Sequence, residues 1–488
     1  MGVTKTRRLQ KARLWVPGGG GPPDPTPTQI GTDTMSDTLQ TLQSALPAAV
    51  FTTDPDVMWG YSRDRADLVA AGKPLAVLRP TTTDEVVTIM RWASSTGTPV
   101  VARGAGTGLS GGATALDDCL VVSLERMTGI REIDAPNQTV VVEAGVINAD
   151  VSRAVAHLGL FYPPDPGSFE ISTIGGNLAT NAGGMRCVKY GVTRSSVLGM
   201  EVVLADGKVL RTGGRTVKNV AGLDLTQLFI GSEGTLGLIT SATLRLRPLP
   251  VRTATMVATF DTLEAGCRAL DGIFASGVTP SVLELMDQET INAVEDHTRM
   301  DLDRTAAVLI IAQADGVDAL REVDTIVTCC ENAGASLAMA TDDPAEGAML
   351  MQARRLAGHA IAAIGPTIIE DVVVPRSRLG ELLTAIARIS VESGIRIATV
   401  GHAGDGNVHP NLYLPDLSDA TRSTAMAVAE QICTATLELD GSITGEHGVG
   451  QLKMGWLAQQ LDSTALAVQA AIRGALDPQG LLNPGRGY

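Results

Sequence analysis

The sequence predicts an α+β protein of two folded domains, and three observations carry that expectation. The chain has 488 residues, 44% of them hydrophobic, which is more than a single core accommodates. From Pro74 onward short apolar runs alternate with stretches of helical period. After Pro250 the alternation of strand and helix becomes regular, so the boundary is placed near residue 250, with one domain over 36–250 and a second over 251–488.

In chain order, residues 36–70 read as short helices. PLAVLRP is a strand closed by proline. TTDEVVTIMRWASSTG is a helix with a Thr or Asp cap, apolar residues at Val86, Val87, Met90 and Ala93, and Gly97 as its stop. TPVVARG, DCLVVSL and TVVVEAG are strands, and INADVSRAVAHLG is helical. VLGMEVVLADGKVLR is a hairpin turned at Asp206-Gly207, and GLITSATLRLRPLP is a strand with proline at its exit. Beyond 250, ATMVATF, AAVLIIAQADG and the start of DVVVPRSRLGELLTAIARISVESG are strands, each followed by a helix. The terminal LDPQGLLNPGRGY, rich in proline and glycine, is expected to pack back on the first domain.

Composition excludes several classes. A net charge of −15 repels phosphate backbones, so nucleic acid is not an expected partner. No apolar run is long enough to span a bilayer, which leaves at most peripheral membrane contact. The six cysteines lack C-x-x-C spacing, which fits a reduced cytoplasm and no iron–sulfur cluster on this chain. Residues 1–35 are assigned to a disordered tail, basic at first and then GGGGPPDPTPT; Met35 is an alternative start.

Three glycine-rich segments crowd the first domain: VVARGAGTGLSGGA, PPDPGSFEISTIGGNLATNAGG and GSEGTLG. The first contains Gly106-x-Gly108-x-x-Gly111, a dinucleotide fingerprint only where it opens a helix. Here ATALD alone separates it from the next strand, so it is a loop between strands whose N–H groups can cradle an anion. Three such loops imply a large ligand approached closely by backbone.

Histidine is scarce, and three of the six stand in GHAGDGNVHPN and GEHGVG. A hairpin turned at Asp405-Gly406 brings His402 and His409 together as a metal pair, and Glu446 can supply a third ligand while leaving positions open for water or substrate.

The order R-G-x-G-T-x-L-S-G-G, P-P-D-P-G-S, T-I-G-G-N-x-A-T-N-A-G-G, K-N-V-A-G-x-D-L and G-S-E-G-T-L-G resembles the FAD-linked oxidases of the vanillyl-alcohol oxidase (PCMH-type) superfamily, most of all the branch of the glycolate oxidase flavoprotein subunit and D-lactate dehydrogenases. The resemblance implies a PCMH-type FAD-binding domain of two α+β subdomains and a C-terminal α+β substrate domain. It places the FAD pyrophosphate on Arg103, Gly104, Ala105, Gly106 and Thr107, with Gly108 beside them. It places Pro164, Gly167, Ser168, Gly175, Asn177, Thr180, Gly183, Glu233 and Ile239 in FAD-contacting stretches. Thr107 stands where covalent flavoproteins carry histidine, so noncovalent FAD is expected; His157 reads as a surface or packing residue. The same resemblance makes His402, His409 and Glu446 ligands of a divalent metal, with zinc, iron and manganese unseparated by nitrogen and oxygen donors. It makes His447 the catalytic base and Arg354, rather than its neighbour Arg355, the clamp for a substrate carboxylate; Asn411 is expected to add a hydrogen bond.

The implied reaction is oxidation of a small D-2-hydroxy acid. Relatives that take longer dicarboxylates place a lysine where Ile369 stands, which favours a monocarboxylate such as D-lactate or glycolate. Two rivals stay open: a metal-free PCMH-type oxidase of a phenol or sugar alcohol, and a noncatalytic FAD-binding relay subunit. The electron acceptor is external, whether quinone, electron-transfer flavoprotein, cytochrome or iron–sulfur subunit, and a homodimer is among the open assemblies.

Overall fold

A computed structural model describes residues 32–487; most of the stretch assigned to a tail, residues 1–31, lies outside them. The chain divides into compact units at Ser44/Ala45. The first contributes one described helix, Thr32–Ala45, which begins within the stretch assigned to the tail. Everything below belongs to the second.

Before residue 250 two larger sheets form, beside a two-stranded one of Leu160–Phe161 and Arg247–Pro248. One has four strands in the order Phe51–Thr52, Ala76–Leu78, Leu120–Ser123, Val100–Arg103, parallel except for its first pair. Val77, Val101 and Val121 are fully buried, as expected of strands covered on both faces. The helix Thr83–Thr96 crosses between the first of these parallel strands and the next. Thr82 and Glu85 close a capping box at its start, and Gly97 takes φ +71° at its end, a left-handed turn that glycine adopts without strain.

The other sheet is antiparallel, in the order Ile130–Asp134, Thr139–Glu143, Leu238–Arg245, Val197–Val203, Val209–Gly213. Its last hairpin turns at Asp206-Gly207 as expected, with Gly207 at φ +76°. The strand Ile130–Asp134 is absent from the sequence reading: it is an edge strand without an apolar alternation.

After residue 250 an eight-stranded antiparallel sheet forms, running Leu337–Thr341, Thr253–Phe260, Val308–Asp315, Val282–Asp287, Ile397–His402, Asn407–Tyr413, Thr367–Ile369, with Val372–Val373 also on Asn407–Tyr413. Ile310 and Ala312 face one core with helices Leu263–Ala275, Ala319–Asn332, Leu379–Ser393 and Asp419–Glu438. Leu309 and Ile311 face another with helices Gln288–Thr298 and Pro344–Ile364. Burial on both faces is why VLIIA reads as an unbroken apolar run.

The C-terminal segment lies along the first sheet. Val100 N–H donates to the Leu481 carbonyl and Asn483 N–H to the Val100 carbonyl, both at 2.8 Å. The Asn483 amide then donates to the carbonyls of Gly112 (2.9 Å) and Glu233 (2.7 Å), tying two glycine loops together.

Candidate active site

A cavity of about 920 Å³ opens among the three glycine loops, the helix Pro344–Ile364 and the histidine-bearing strands. That is the upper end of the range for small-molecule sites. Of the fifteen residues assigned to FAD, fourteen line it. Pro164 does not; it is buried, and the neighbouring Pro166, also buried, lines the cavity instead.

The loop leaving strand Val100–Arg103 is rich in unpaired donors. Among the described residues, nothing accepts from the backbone N–H groups of Ala105 to Gly112. A run of free N–H groups along a cavity wall is a cradle for an anion. The Arg103 guanidinium takes no part in that cradle as a ligand. It folds under the loop and donates to the Arg63 carbonyl at 2.7 Å, so its role is to support the backbone. Gly106, at φ +72°, packs on that guanidinium; a β-carbon there would overlap it. The second loop packs on the first, Gly104 lying against Thr173 and Gly176.

Glu233 also bonds the protein itself. Its carboxylate lines the cavity but accepts from Val449 N–H (2.8 Å) and Gly450 N–H (2.7 Å), holding the segment that follows His447. Burial pushes its carboxyl up to about 7, the two N–H groups opposing.

The histidine hairpin forms as the Asp405-Gly406 signal indicates. Val400 pairs with His409 and His402 with Asn407, so the two imidazoles are diagonal neighbours on one face, with ring centres 5.1 Å apart. Nε2 of each lies 3.3 Å from Glu446 Oε1. A tetrahedral cation with bonds of ~2.0–2.1 Å sets its ligands roughly 3.3–3.4 Å apart, so the donor set fits one. The outer nitrogen of His402 is supported as a metal-ligating histidine requires. His402 Nδ1 lies 2.8 Å from Glu284, a carboxylate buried in the strand Val282–Asp287. His409 Nδ1 faces Asp371 at 3.6 Å, beyond direct hydrogen-bonding range. Burial opposes charge on His402, but Glu284 and Glu446 raise its pKa well above the ordinary imidazole value. Burial likewise opposes ionisation of Glu446, yet His402 and His409 hold its carboxyl well below the usual range.

His447 stacks on His409, with centroids 4.9 Å apart and planes 11° from parallel, and its Nε2 lies 3.8 Å from Glu446 Oε1. Burial pushes its pKa down to about 4, with Asp371 opposing, so the ring is neutral at pH 7. Arg354 Nε forms an ion pair with Glu284 Oε2 at 2.7 Å, without the alignment of a hydrogen bond, and Arg354 lines the cavity; among the described residues no acceptor meets its Nη groups. Asn411 also lines the cavity, but its amide nitrogen is held by the carbonyls of His409 (2.7 Å) and Ala398 (3.2 Å). Only its oxygen is free to meet a ligand, as an acceptor.

Two residues central to this geometry escaped the sequence reading. Asp371 Oδ2 accepts from Thr444 Oγ1 (2.7 Å) and from the N–H groups of Gly445, Glu446 and His447 (2.8, 2.9 and 2.8 Å), while Oδ1 accepts from Asn407 Nδ2 at 2.8 Å. One carboxylate therefore sets both the loop bearing Glu446 and His447 and the strand bearing His409. Those five donors leave it a scaffold rather than a ligand, although it lies near His409 and His447. Glu284 orients His402 and Arg354 together. Both are acids inside apolar strands, TIIEDVVV and VLELM, and that anomaly was the available signal.

The cofactor cavity and this cluster touch at Gly183, where a β-carbon would overlap the Glu446 carboxylate. Comparison with known proteins decides the family. Residues 74–213 match the FAD binding domain and residues 249–486 the C-terminal domain of FAD linked oxidases. Over 85% of the chain and 88% of the relative's length, 42% of residues are identical to the glycolate oxidase subunit GlcD of Bacillus subtilis (strain 168). The chain belongs to the FAD-linked oxidases. This oxidase is also 32% identical to a D-lactate dehydrogenase of Anaerostipes hadrus, over 92% of the chain and 96% of that protein. The fold of p-cresol methylhydroxylase is similar, with a TM-score of 0.77 and 17% identity, covering 94% of this chain and 98% of the other. The oxidase thus has the PCMH-type fold and is a flavoprotein that binds FAD. No helix among its described residues is long and apolar enough to cross a membrane.

Proposed function

We propose that this oxidase oxidises a small D-2-hydroxy acid, D-lactate or glycolate, to the 2-oxo acid, with FAD held noncovalently and a divalent metal at His402, His409 and Glu446. The observation that carries the reading is the convergence of those three side chains, a neutral His447 and an arginine with free Nη groups on one wall of the FAD cavity. The relatives named for glycolate and D-lactate support the substrate class.

Bound FAD supplies the hydride acceptor, and a bound divalent cation supplies Lewis acidity at the substrate hydroxyl. The residues do the rest. Arg354, fixed through Nε by Glu284, offers its two Nη groups to the substrate carboxylate as a fork. His447, neutral and stacked on His409, takes the hydroxyl proton on a ring nitrogen. Asn411 Oδ1 accepts a hydrogen bond from the ligand. Ile369 on the same wall offers no charge to a second carboxylate, which favours a monocarboxylic substrate.

The test is anaerobic: D- and L-2-hydroxy acids are mixed with the oxidised flavoprotein and the yellow absorbance followed. D-Lactate or glycolate is expected to bleach it within one turnover. A flavin left oxidised by every 2-hydroxy acid, yet reduced by a phenol or sugar alcohol, would sink the reading.

A further inference from the structure

Arg355 follows the carboxylate clamp by one residue on the helix Pro344–Ile364. Among the described residues, no carboxylate or carbonyl accepts from its guanidinium, although it is one of the residues lining the cavity. It is exposed, and with Gly358, His359 and Ala362, also exposed, it forms a stripe at helical spacing along the mouth of the cavity. Its nearest charged company is mixed: partial burial and the like charge of Arg186 press its pKa below the ordinary arginine value, and Asp165 opposes. Arg186 is itself engaged, lying 3.6 Å from Asp165 and over the Phe161 ring.

Most of the other acids of the cavity are engaged elsewhere. Asp64 accepts from Ala66, Ala113 and Thr114, Glu233 from Val449 and Gly450, and Glu446 lies against the histidines. Asp67 is the one carboxylate of the wall without a described partner. Meanwhile the chain as a whole carries −15, a field that repels any anion approaching the molecule. An arginine at the rim that makes no ion pair among the described residues, next to the arginine that clamps, counters that repulsion where it matters.

We propose that Arg355 is an electrostatic steering residue, which draws the substrate carboxylate into the mouth of the cavity and passes it to Arg354. The proposal rests on the reading of the substrate as a 2-hydroxy acid. Steering acts on encounter, so Arg355 governs the second-order rate of flavin reduction and leaves the saturated rate alone.

The experiment measures anaerobic flavin reduction by D-lactate in the FAD-loaded protein between low and about 0.3 M ionic strength, for the wild type, Arg355→Met and Arg355→Lys. At low salt Arg355→Met is expected to lower the second-order rate constant about tenfold and to flatten its salt dependence, with the limiting rate and FAD content unchanged. Arg355→Lys is expected to keep both the rate and the slope. Binding of pyruvate to the oxidised protein, followed by calorimetry, should weaken in Arg355→Met at low salt and converge with the wild type at high salt. A salt slope in Arg355→Met equal to that of the wild type overturns the proposal, as does a fall in limiting rate, which would make Arg355 part of the clamp. A preference for D-2-hydroxy dicarboxylates that Arg355→Met abolishes also overturns it, since Arg355 would then hold a second carboxylate. Failure of the underlying reading is separate: there no 2-hydroxy acid reduces the wild-type flavin at any salt.

Discussion

The glycine loop over Arg103–Gly112 and the cluster around Glu446 form two ends of one cavity and are built on opposite plans. The loop leaves its donors open: among the described residues the N–H groups of Ala105 to Gly112 meet no acceptor, and the Arg103 side chain props the backbone. The cluster closes nearly every group on another: Glu284 on His402 and Arg354, Glu446 on two imidazoles, Asp371 on five donors. A site that holds a large cofactor presents unpaired dipoles and acquires its partners on binding. A site that handles a proton holds its groups by mutual bonds, because a shift in one changes the charge felt by the others.

Substitutions in the closed region are expected to have the larger effects on chemistry. His447→Ala removes the proposed proton acceptor, and the limiting rate of flavin reduction should fall ~10²–10⁴-fold while FAD stays bound. A rate within a factor of a few of wild type would free His447 from that role. Asp371→Asn places an amide before backbone N–H groups that need an acceptor, and metal affinity is expected to drop ~10–100-fold in elemental analysis after dialysis, with FAD absorbance retained. Unchanged metal content would break the idea that Asp371 arranges the ligand loop. In the open region, Gly106→Ala sets a β-carbon against the Arg103 guanidinium at φ +72°. Left-handed strain of ~1–2 kcal/mol should weaken FAD binding about tenfold in fluorescence titration, leaving metal content alone.

The smallest effect concerns Glu233, which links the two regions. In the unfolded chain its carboxyl titrates near the ordinary ~4.3, and in the folded chain at about 7. Between those values the folded protein keeps a proton that the unfolded chain has lost, so this group's stabilisation is complete below the ordinary carboxylate range and declines as pH rises toward about 7. Glu233→Gln cannot titrate. The wild-type Tm should therefore fall relative to that variant by a few degrees as pH rises from about 4.5 to 7. A constant difference would show that the carboxyl is not held protonated.

How far each region was readable follows from the same contrast. An open loop advertises itself, since repeated glycines and an absent helix are local facts, and of the residues assigned to FAD all but Pro164 line the cavity. The histidine pair was legible because an Asp-Gly turn fixes a hairpin register. The scaffold of the cluster was not. Asp371 and Glu284 act on residues 36 to 118 positions away, and Glu233 meets Val449 and Gly450 across 216 and 217 positions. No periodicity encodes such pairings. The side chains of Arg103 and Asn411 escaped for a related reason: spacing places a residue at a site but does not say which of its atoms the backbone has already taken.

The segment Leu481–Arg486 gives the molecule an order of assembly. Its Asn483 amide bridges Gly112 and Glu233, 371 and 250 positions upstream, and its backbone adds to Val100 at the edge from which the glycine loop departs. During synthesis that loop emerges early and waits for nearly the whole chain before its closing contacts exist. A chain that stops short of residue 483 has the nucleotide cradle without its clasp.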